Sequence, residues 1–223
     1  MSSEIINYGA ALPKKYKQDS HGVNKELNLQ KLFRMVILGP SFAGKTNFVF
    51  HIIKNSPHVY THLHVICRNK DQELYNYLED KLSGYITFYD ADNVPTVDQI
   101  KKTDGLQLVI IDDFSSDKML QKNVFSHYFI RGRHKLISTI FICHSYFALD
   151  KMIRLNSEYI AILKANSKRD LKMVLKDFNL PKVDEHMIFS AYAETTSKKG
   201  QALLIDSVNG LLRENFKGKI FND

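Results

Sequence analysis

The chain has 223 residues, 44% of them apolar, and 31 basic against 24 acidic side chains give a net charge of +7. That composition suits one α/β domain with modest additions and excludes a disordered chain. No apolar stretch approaches the roughly 18 residues that span a bilayer, the polar start Met1-Ser2-Ser3-Glu4 is not a secretory signal, and the basic balance fits either a polyanionic partner such as nucleic acid or a merely soluble basic protein.

Residues 1–31 show no clear periodicity. They contain Pro13 and the basic group Lys14, Lys15 and Lys17, and read as an arm ahead of a domain spanning 32–223. Leu32 to Leu38 is an apolar run, predicted to be a buried parallel strand. Gly39-Pro40-Ser41-Phe42-Ala43-Gly44-Lys45-Thr46 follows without a gap. A helix is predicted next, from Asn47 to Lys54, with Phe48, Val49, Ile52 and Ile53 on one face. A second strand, rich in β-branched residues, covers Thr61 to Cys67. Asp71 to Leu78 reads as a helix, Tyr85 to Tyr89 as a short strand, and Leu106 to Ile111 as the most apolar strand. A helix through about Leu120 to Ile130, a strand over Leu136 to Cys143 and another over Tyr159 to Leu163 complete the alternation. Strands alternating with helices imply a mostly parallel sheet covered on both faces. Two helices, near Lys168–Phe178 and Val183–Tyr192, precede Ala202–Asp206 and Leu211–Arg213, where Asn209-Gly210 signals a hairpin. Cys67 and Cys143 lie in strand-like runs without metal-ligand spacing and read as buried reduced thiols.

The segment 39–46 has the P-loop form, Gly, four free positions, Gly-Lys-Thr, set between a strand and a helix as that motif requires. Backbone N–H groups of such a loop cradle phosphate oxygens, the lysine reaches the β- and γ-phosphates, and the threonine hydroxyl ligates Mg²⁺. Gly39, Pro40, Ser41, Phe42, Ala43, Gly44, Lys45 and Thr46 are therefore the expected nucleotide-binding residues. Asp112-Asp113 ends the apolar run Leu108–Ile111 in the Walker B manner. A buried strand delivers a carboxylate at its C-terminal end, where open α/β sheets bind ligands. Asp112 is expected to hold Mg²⁺ together with Thr46, and Asp113 to orient or deprotonate the attacking water. His144, at the end of a further strand, can sense the γ-phosphate or be a satisfied strand-end histidine. Arg131 and Arg133 can be solvated turn residues or arginine fingers. Lys164, Lys168, Arg169, Lys172 and Lys176 form a basic stretch, either a solvated helix face or a DNA contact.

Taken together, Gly-Pro-Ser-x-Ala-Gly-Lys-Thr, Ile-Ile-Asp-Asp, Arg-Gly-Arg-His, the strand ending His-Ser-Tyr-Phe and Ile153-Arg154-Leu155-Asn156-Ser157 resemble the poxvirus-type genome-packaging ATPases. These belong to the FtsK-HerA superfamily and occur in large DNA viruses, virophages and related elements. The resemblance covers about residues 32–220, including the closing Leu211-Leu212-Arg213-Glu214-Asn215-Phe216. It implies a RecA-like (ASCE) P-loop NTPase fold, α/β, with helices on both faces of a mostly parallel sheet and extra C-terminal β-strands. It implies ATP and Mg²⁺ as ligands, a homo-oligomeric ring (pentamer or hexamer), and double-stranded DNA and viral capsid proteins as partners. The implied location is the host-cell cytoplasm or a viral factory, or association with the virion. By the same resemblance His144, where many relatives carry glutamine, is the sensor, on a strand between the P-loop and Walker B strands. Asp113 stands where many relatives have glutamate, and Arg133, ahead of Arg131, is the arginine acting across the subunit boundary. The competing readings are a cellular or plasmid DNA translocase or helicase of the same superfamily, a nucleotide-dependent switch without motor activity, and a nucleotide kinase. The absence of a lid segment with paired arginines speaks against the kinase.

Overall fold

Apolar side chains that alternate between the two faces of each strand set the layering of this protein. The computed structural model describes residues 21–164, 167–178 and 183–218, with Ile5, Leu12 and Pro13; Lys14, Lys15 and Lys17 lie outside the described residues. Strands β1 (Val23–Asn24) and β2 (Leu29–Gln30) pair as a small antiparallel hairpin. The main sheet comprises β3 (Arg34–Leu38), β4 (Tyr60–Cys67), β5 (Ile86–Tyr89), β6 (Leu106–Asp112), β7 (Ile137–Cys143), β8 (Tyr159–Ile162), β9 (Leu203–Asp206) and β10 (Leu211–Glu214). Their spatial order is β10-β9-β8-β3-β7-β6-β4-β5. From β8 to β5 every pairing is parallel, whereas β9 and β10 run antiparallel. The hairpin expected at Asn209-Gly210 is the β9–β10 turn, with Gly210 at φ 66°.

The helices are α1 (Lys45–Lys54), α2 (Glu73–Lys81), α3 (Lys118–Leu120), α4 (Ser126–Arg131), α5 (Lys151–Leu155), α6 (Lys168–Asp177) and α7 (Glu185–Thr195). The single helix expected over 120–130 is a composite: α3 passes through a π-helical stretch, Gln121–Phe125, into α4, which ends in a 3₁₀ turn, Gly132–Lys135.

Val36 and Leu38 of β3, with Val109, Ile111 and Phe141, pack under Phe125, Phe129, Ile153, Leu171 and Ile188. Met35 and Ile37 point the other way and, with Leu108, Ile110 and Ile140, pack under Phe48, Val49 and Ile52 of α1 and Tyr75 of α2. Helices therefore cover both faces, and a large-to-small change at these fully buried positions costs about 2–5 kcal/mol. Cys67 and Cys143 are buried free thiols. Burial, joined by the charge of Asp112, pushes the Cys67 thiol up to about 11. No helix among the described residues is long and apolar enough to cross a membrane.

Residues 21–31, read from sequence as the end of an arm, are packed onto the sheet domain. Leu27 and Leu29 are buried beneath α1, and the Asn24 amide donates to Asn55 O and Ser56 Oγ beyond the end of that helix.

Two features of this fold make a site. Pairing aligns Leu38 with Cys143 and Asp112 with Ile142, so β3, β7 and β6 end together. β7 lies between the other two, which brings the loop after β3, the carboxylates after β6 and His144 after β7 to one edge.

Candidate nucleotide site

The P-loop leaves β3 at Gly39, whose N–H donates to Cys143 O at 3.1 Å. A Cβ at Gly39 would sit 3.2 Å from the Cβ atoms of Ala43 and Leu163, a crowded contact that glycine avoids where the loop curls. Gly44 is the N-cap of α1 at φ 101°, a conformation that L side chains avoid. The first N–H groups of any α-helix have no intrahelical partner. In α3, α5, α6 and α7 a side chain answers them, from Asp117, Asp150, Ser167 and Asp184. At α1 no side chain caps the helix, and its first turn holds no acidic residue. Its N–H groups and the positive end of its dipole are left for an external anion.

Lys45 is buried and its ammonium donates to Pro40 O at 2.9 Å, curling back over the loop. Burial lowers its pKa, while the carboxylates of Asp112 and Asp113 and the Cys143 thiol act to raise it. A phosphate would favour the charged form further.

Asp112 ends a strand that is buried throughout. Tyr75 of α2 donates its hydroxyl to Asp112 Oδ2 at 2.7 Å. Burial raises the Asp112 pKa; the Tyr75 hydrogen bond and the Lys45 charge oppose that rise, and Asp113 adds to it. Ionised Asp112 therefore costs the folded protein stability, and the cost grows as pH rises from the ordinary carboxylate range through the raised value. A cation bound there would offset it. The chain thus fits a divalent ion held by Asp112 and Thr46, with Tyr75 fixing the carboxylate from behind.

Asp113 sits in a left-handed turn at φ 65°. The Arg68 guanidinium holds that turn, donating to Asp113 O and to Asp117 Oδ2 at 3.1 Å each. His144 bridges the two halves of the site: its Nδ1 is 3.5 Å from Lys45 Nζ and its Nε2 is 3.6 Å from Asp113 Oδ1. A charged lysine can only donate, so a hydrogen bond between these two groups requires Nδ1 to accept. The structure thus brings Gly39 to Thr46, Asp112, Asp113 and His144 together.

It does not bring Arg131 and Arg133 to that edge. Both precede β7, whose seven residues at about 3.3 Å each put them about 20 Å from His144, at the opposite end of the sheet. Arg131 donates to Asp98 Oδ2 at 3.1 Å. Arg133 is exposed and has no partner among the described residues. In the basic stretch, Lys168, Lys172 and Lys176 are exposed on one face of α6, whose other face buries Leu171 and Val174; Lys172 lies 3.3 Å from Glu185.

Two participants escaped sequence reading, and a third, Arg169, stood out in the sequence only as part of the basic stretch. Tyr75 shares the buried face of α2 with Leu78, three residues on. Asp170 is buried and accepts from Ser145 Oγ and Phe147 N at 2.9 and 2.8 Å, so α6 holds the loop after His144. Arg169 lies 3.6 Å over the Phe147 ring and lines an open cavity of about 510 Å³ with Pro40, Ser41 and His144. Neither of the last two follows a motif.

A P-loop on β3, an acidic strand end on β6 and a polar strand end on the intervening β7 define a RecA-like P-loop ATPase. The sequence profile of the poxvirus A32 protein family matches residues 21–212. The chain belongs to that family, the genome-packaging ATPases that its motifs resemble. Comparison with curated proteins gave no match. Among solved structures, the genome packaging NTPase B204 of Sulfolobus turreted icosahedral virus 2 in complex with AMP is similar with TM-score 0.62 and 16% identity, over 86% of this chain and 100% of that one. Its complex with AMPPCP gives 0.60 and 16%, over 84% and 98%. EssC (ATPases 2 and 3) of Geobacillus thermodenitrificans gives 0.55 and 11%, over 83% of this chain but 40% of that one. At these identities the likeness is one of fold.

Removal of the Tyr75 hydroxyl tests the support behind Asp112. Partners of this kind change metal affinity by about 10–100-fold. Tyr75→Phe should raise the Mg²⁺ concentration that half-activates hydrolysis by about tenfold, with little change in the rate at saturating Mg²⁺. An unchanged Mg²⁺ dependence would show that the tyrosine only fills space.

Proposed function

We propose that this chain is an ATP-hydrolysing motor that moves double-stranded DNA into a viral capsid. The observation that carries the proposal is the uncapped N-terminus of α1, facing Lys45 and a carboxylate pair held by Tyr75 and Arg68. The family supplies the packaging role.

In this reading the N–H groups of Ser41 to Thr46 hold the β- and γ-phosphates and Lys45 neutralises the charge that develops on the γ-phosphoryl oxygens. Asp112 and Thr46 would hold Mg²⁺, which when bound screens the phosphate charge and orients the leaving diphosphate. The Asp113 carboxylate takes a proton from the attacking water as its oxygen bonds to the γ-phosphorus and the bond to the bridging oxygen breaks. His144, between the two, orients Asp113 and couples it to Lys45. ADP, phosphate and one proton leave.

Arg133 lies at the opposite end of the sheet from the P-loop of its own chain, too far to reach the γ-phosphate there. Arg133 therefore acts in trans, reaching the P-loop of the adjacent subunit in a ring, and Arg131, paired with Asp98, shapes the turn. The exposed face of Lys168, Lys172 and Lys176 neutralises DNA phosphates without reading sequence. Capsid proteins are the second partner, and the host cytoplasm or a viral factory is where the motor works.

The test measures hydrolysis with and without double-stranded DNA. DNA should stimulate the rate, and stimulation should fall with salt. Arg133→Ala alone should lose turnover but keep ATP affinity; fingers of this kind supply about 10³–10⁵ in rate. Mixed with Lys45→Ala subunits, it should recover part of the activity, because some interfaces then pair an intact P-loop with an intact arginine. A monomer that hydrolyses ATP at full rate regardless of DNA would overturn the motor and leave a nucleotide switch.

A further inference from the structure

We infer, on the nucleotide reading of the P-loop, that Arg169 is a second phosphate-binding cation of the site, supplied by the same chain and donating to the γ-phosphoryl oxygens beside Lys45.

Its place on α6 sets it apart from the lysines around it. Lys168, Lys172 and Lys176 are exposed along one face of that helix. Arg169 follows Lys168 directly and so points about 100° away from their row. It lines the cavity of about 510 Å³ that also touches Ser41, within the P-loop, and His144. His144 Nδ1 is 3.5 Å from Lys45 Nζ, and its Nε2 is 3.6 Å from Asp113 Oδ1. The P-loop lysine marks the β- and γ-phosphates. A cavity walled by Ser41 and His144 therefore adjoins the γ end of a bound triphosphate.

The lining has the chemistry of an anion site. Ser41, Ser145 and Ser167 bring hydroxyls, and the guanidinium is permanently charged. Among the described residues of the lining Asp170 is the one acid, and its Oδ1 is engaged by Ser145 Oγ at 2.9 Å and Phe147 N at 2.8 Å. The backbone N–H of Arg169 donates to Ser167 Oγ, but among the described residues its guanidinium has no hydrogen-bond or ion-pair partner. It rests 3.6 Å over the Phe147 ring instead. Stacking uses the flat face of a guanidinium and leaves the N–H groups on its edge for a phosphate. Phe147 is 48% exposed, a large apolar ring kept at the surface, and this platform accounts for it.

The platform is tied to the catalytic groups. Phe147 lies three residues after His144. Asp170, buried and next to Arg169, grips the intervening loop through its two hydrogen bonds. One helix-to-loop contact thus holds the arginine, its ring and His144 together. A cation preorganised in this way stabilises charge as it develops, without reorganisation at the moment of reaction. Lys45 and Arg169 then neutralise different γ-oxygens as the bond to the bridging oxygen breaks, and the arginine of the adjacent subunit acts in addition to both.

Steady-state hydrolysis and ADP binding by the full chain test the assignment. Arg169→Ala should lower kcat about 10²-fold or more, with and without DNA. ADP, which has no γ-phosphate, should bind within about twofold of the parent. Arg169→Lys should recover part of the rate, since a point charge keeps the attraction and loses the planar fork. Arg169 and Lys45 serve the same P-loop, so mixing Arg169→Ala with Lys45→Ala subunits should restore nothing, in contrast to the Arg133→Ala mixture. A basal kcat within about threefold of the parent in both variants would overturn the assignment. A loss confined to DNA stimulation would do so too, and would make Arg169 a DNA contact. Activity restored in the mixture would place Arg169 across a subunit boundary and end its role in cis. Loss of ADP binding in step with the rate, in both variants, would reduce Arg169 to a support of the fold. If the parent neither binds ADP nor hydrolyses ATP, the P-loop reading itself falls, and this one with it.

Discussion

Lys45→Ala should abolish ATP hydrolysis without unfolding the protein. The ammonium is delivered to the phosphate cradle by the P-loop itself, 2.9 Å from Pro40 O and 3.5 Å from His144 Nδ1. Loss of a single preorganised donor to developing charge typically costs about 10²–10³ in kcat. Here the loss should exceed that, because Lys45 also opposes the burial-driven rise in the Asp112 pKa. Without it the Asp112 carboxyl climbs further, and the site holds its metal less well at neutral pH. The sign on folding is different. Burial disfavours the charged lysine, as its lowered pKa records, so truncation relieves one desolvation cost while removing the partner of Asp112. Thermal unfolding should shift little, and steady-state hydrolysis should fall to background. A folded Lys45→Ala variant that turns over within tenfold of the parent would remove the P-loop from the mechanism.

The elements that define the site were legible because each is written locally. β3, β6 and β7 are mostly apolar, with the unbroken runs Met35–Leu38, Leu108–Ile111 and Ile140–Cys143, as a strand buried on both faces requires, and their boundaries fall within two residues of the expected ones. The P-loop glycines hold the conformations that the motif demands. The Asn209-Gly210 hairpin is likewise local. What stayed hidden is held by distant partners. β1 and β2 have only two residues each, too short for any periodicity. They persist because Leu27 and Leu29 bury under α1 and Arg213, far along the chain, donates to the carbonyls of Leu27 and Asn28 in the turn between them. The π-helical stretch at Gln121–Phe125 lies inside a segment whose pattern is ordinary helix. Tyr75 was hidden for a related reason. A tyrosine on an amphipathic helix is ordinary core until the strand opposite turns out to end in Asp112.

Arg213→Ala should be among the most damaging single changes in the chain, though Arg213 touches neither phosphate nor metal. Its side chain and that of Asp206 are fully buried, 3.2 Å apart. The five guanidinium N–H bonds are all used: Nε to Lys217 O, one terminal nitrogen to Asn28 O and Asp206 Oδ2, the other to Leu27 O and Phe216 O. Removal of one partner from a buried pair costs about 3–5 kcal/mol, because the other charge is left unpaired. Four carbonyls lose a donor as well, and an unsatisfied buried polar group adds about 1–3 kcal/mol where water cannot reach it. For a chain of this length 3–5 kcal/mol corresponds to a fall in Tm of about 6–20 °C. Lysine should rescue only in part, since three donors on a point charge cannot serve five acceptors arranged around a planar fork. A double change, Arg213→Met with Asp206→Leu, should recover some stability over Arg213→Ala by removing the stranded carboxylate. It should not reach the parent, because the carbonyls of Leu27, Asn28, Phe216 and Lys217 would still lack their donor. Chemical denaturation of the three variants separates these terms. If Arg213→Ala matched the parent in midpoint and slope, the clamp between the N-terminal hairpin and the C-terminal segment would not hold this fold together.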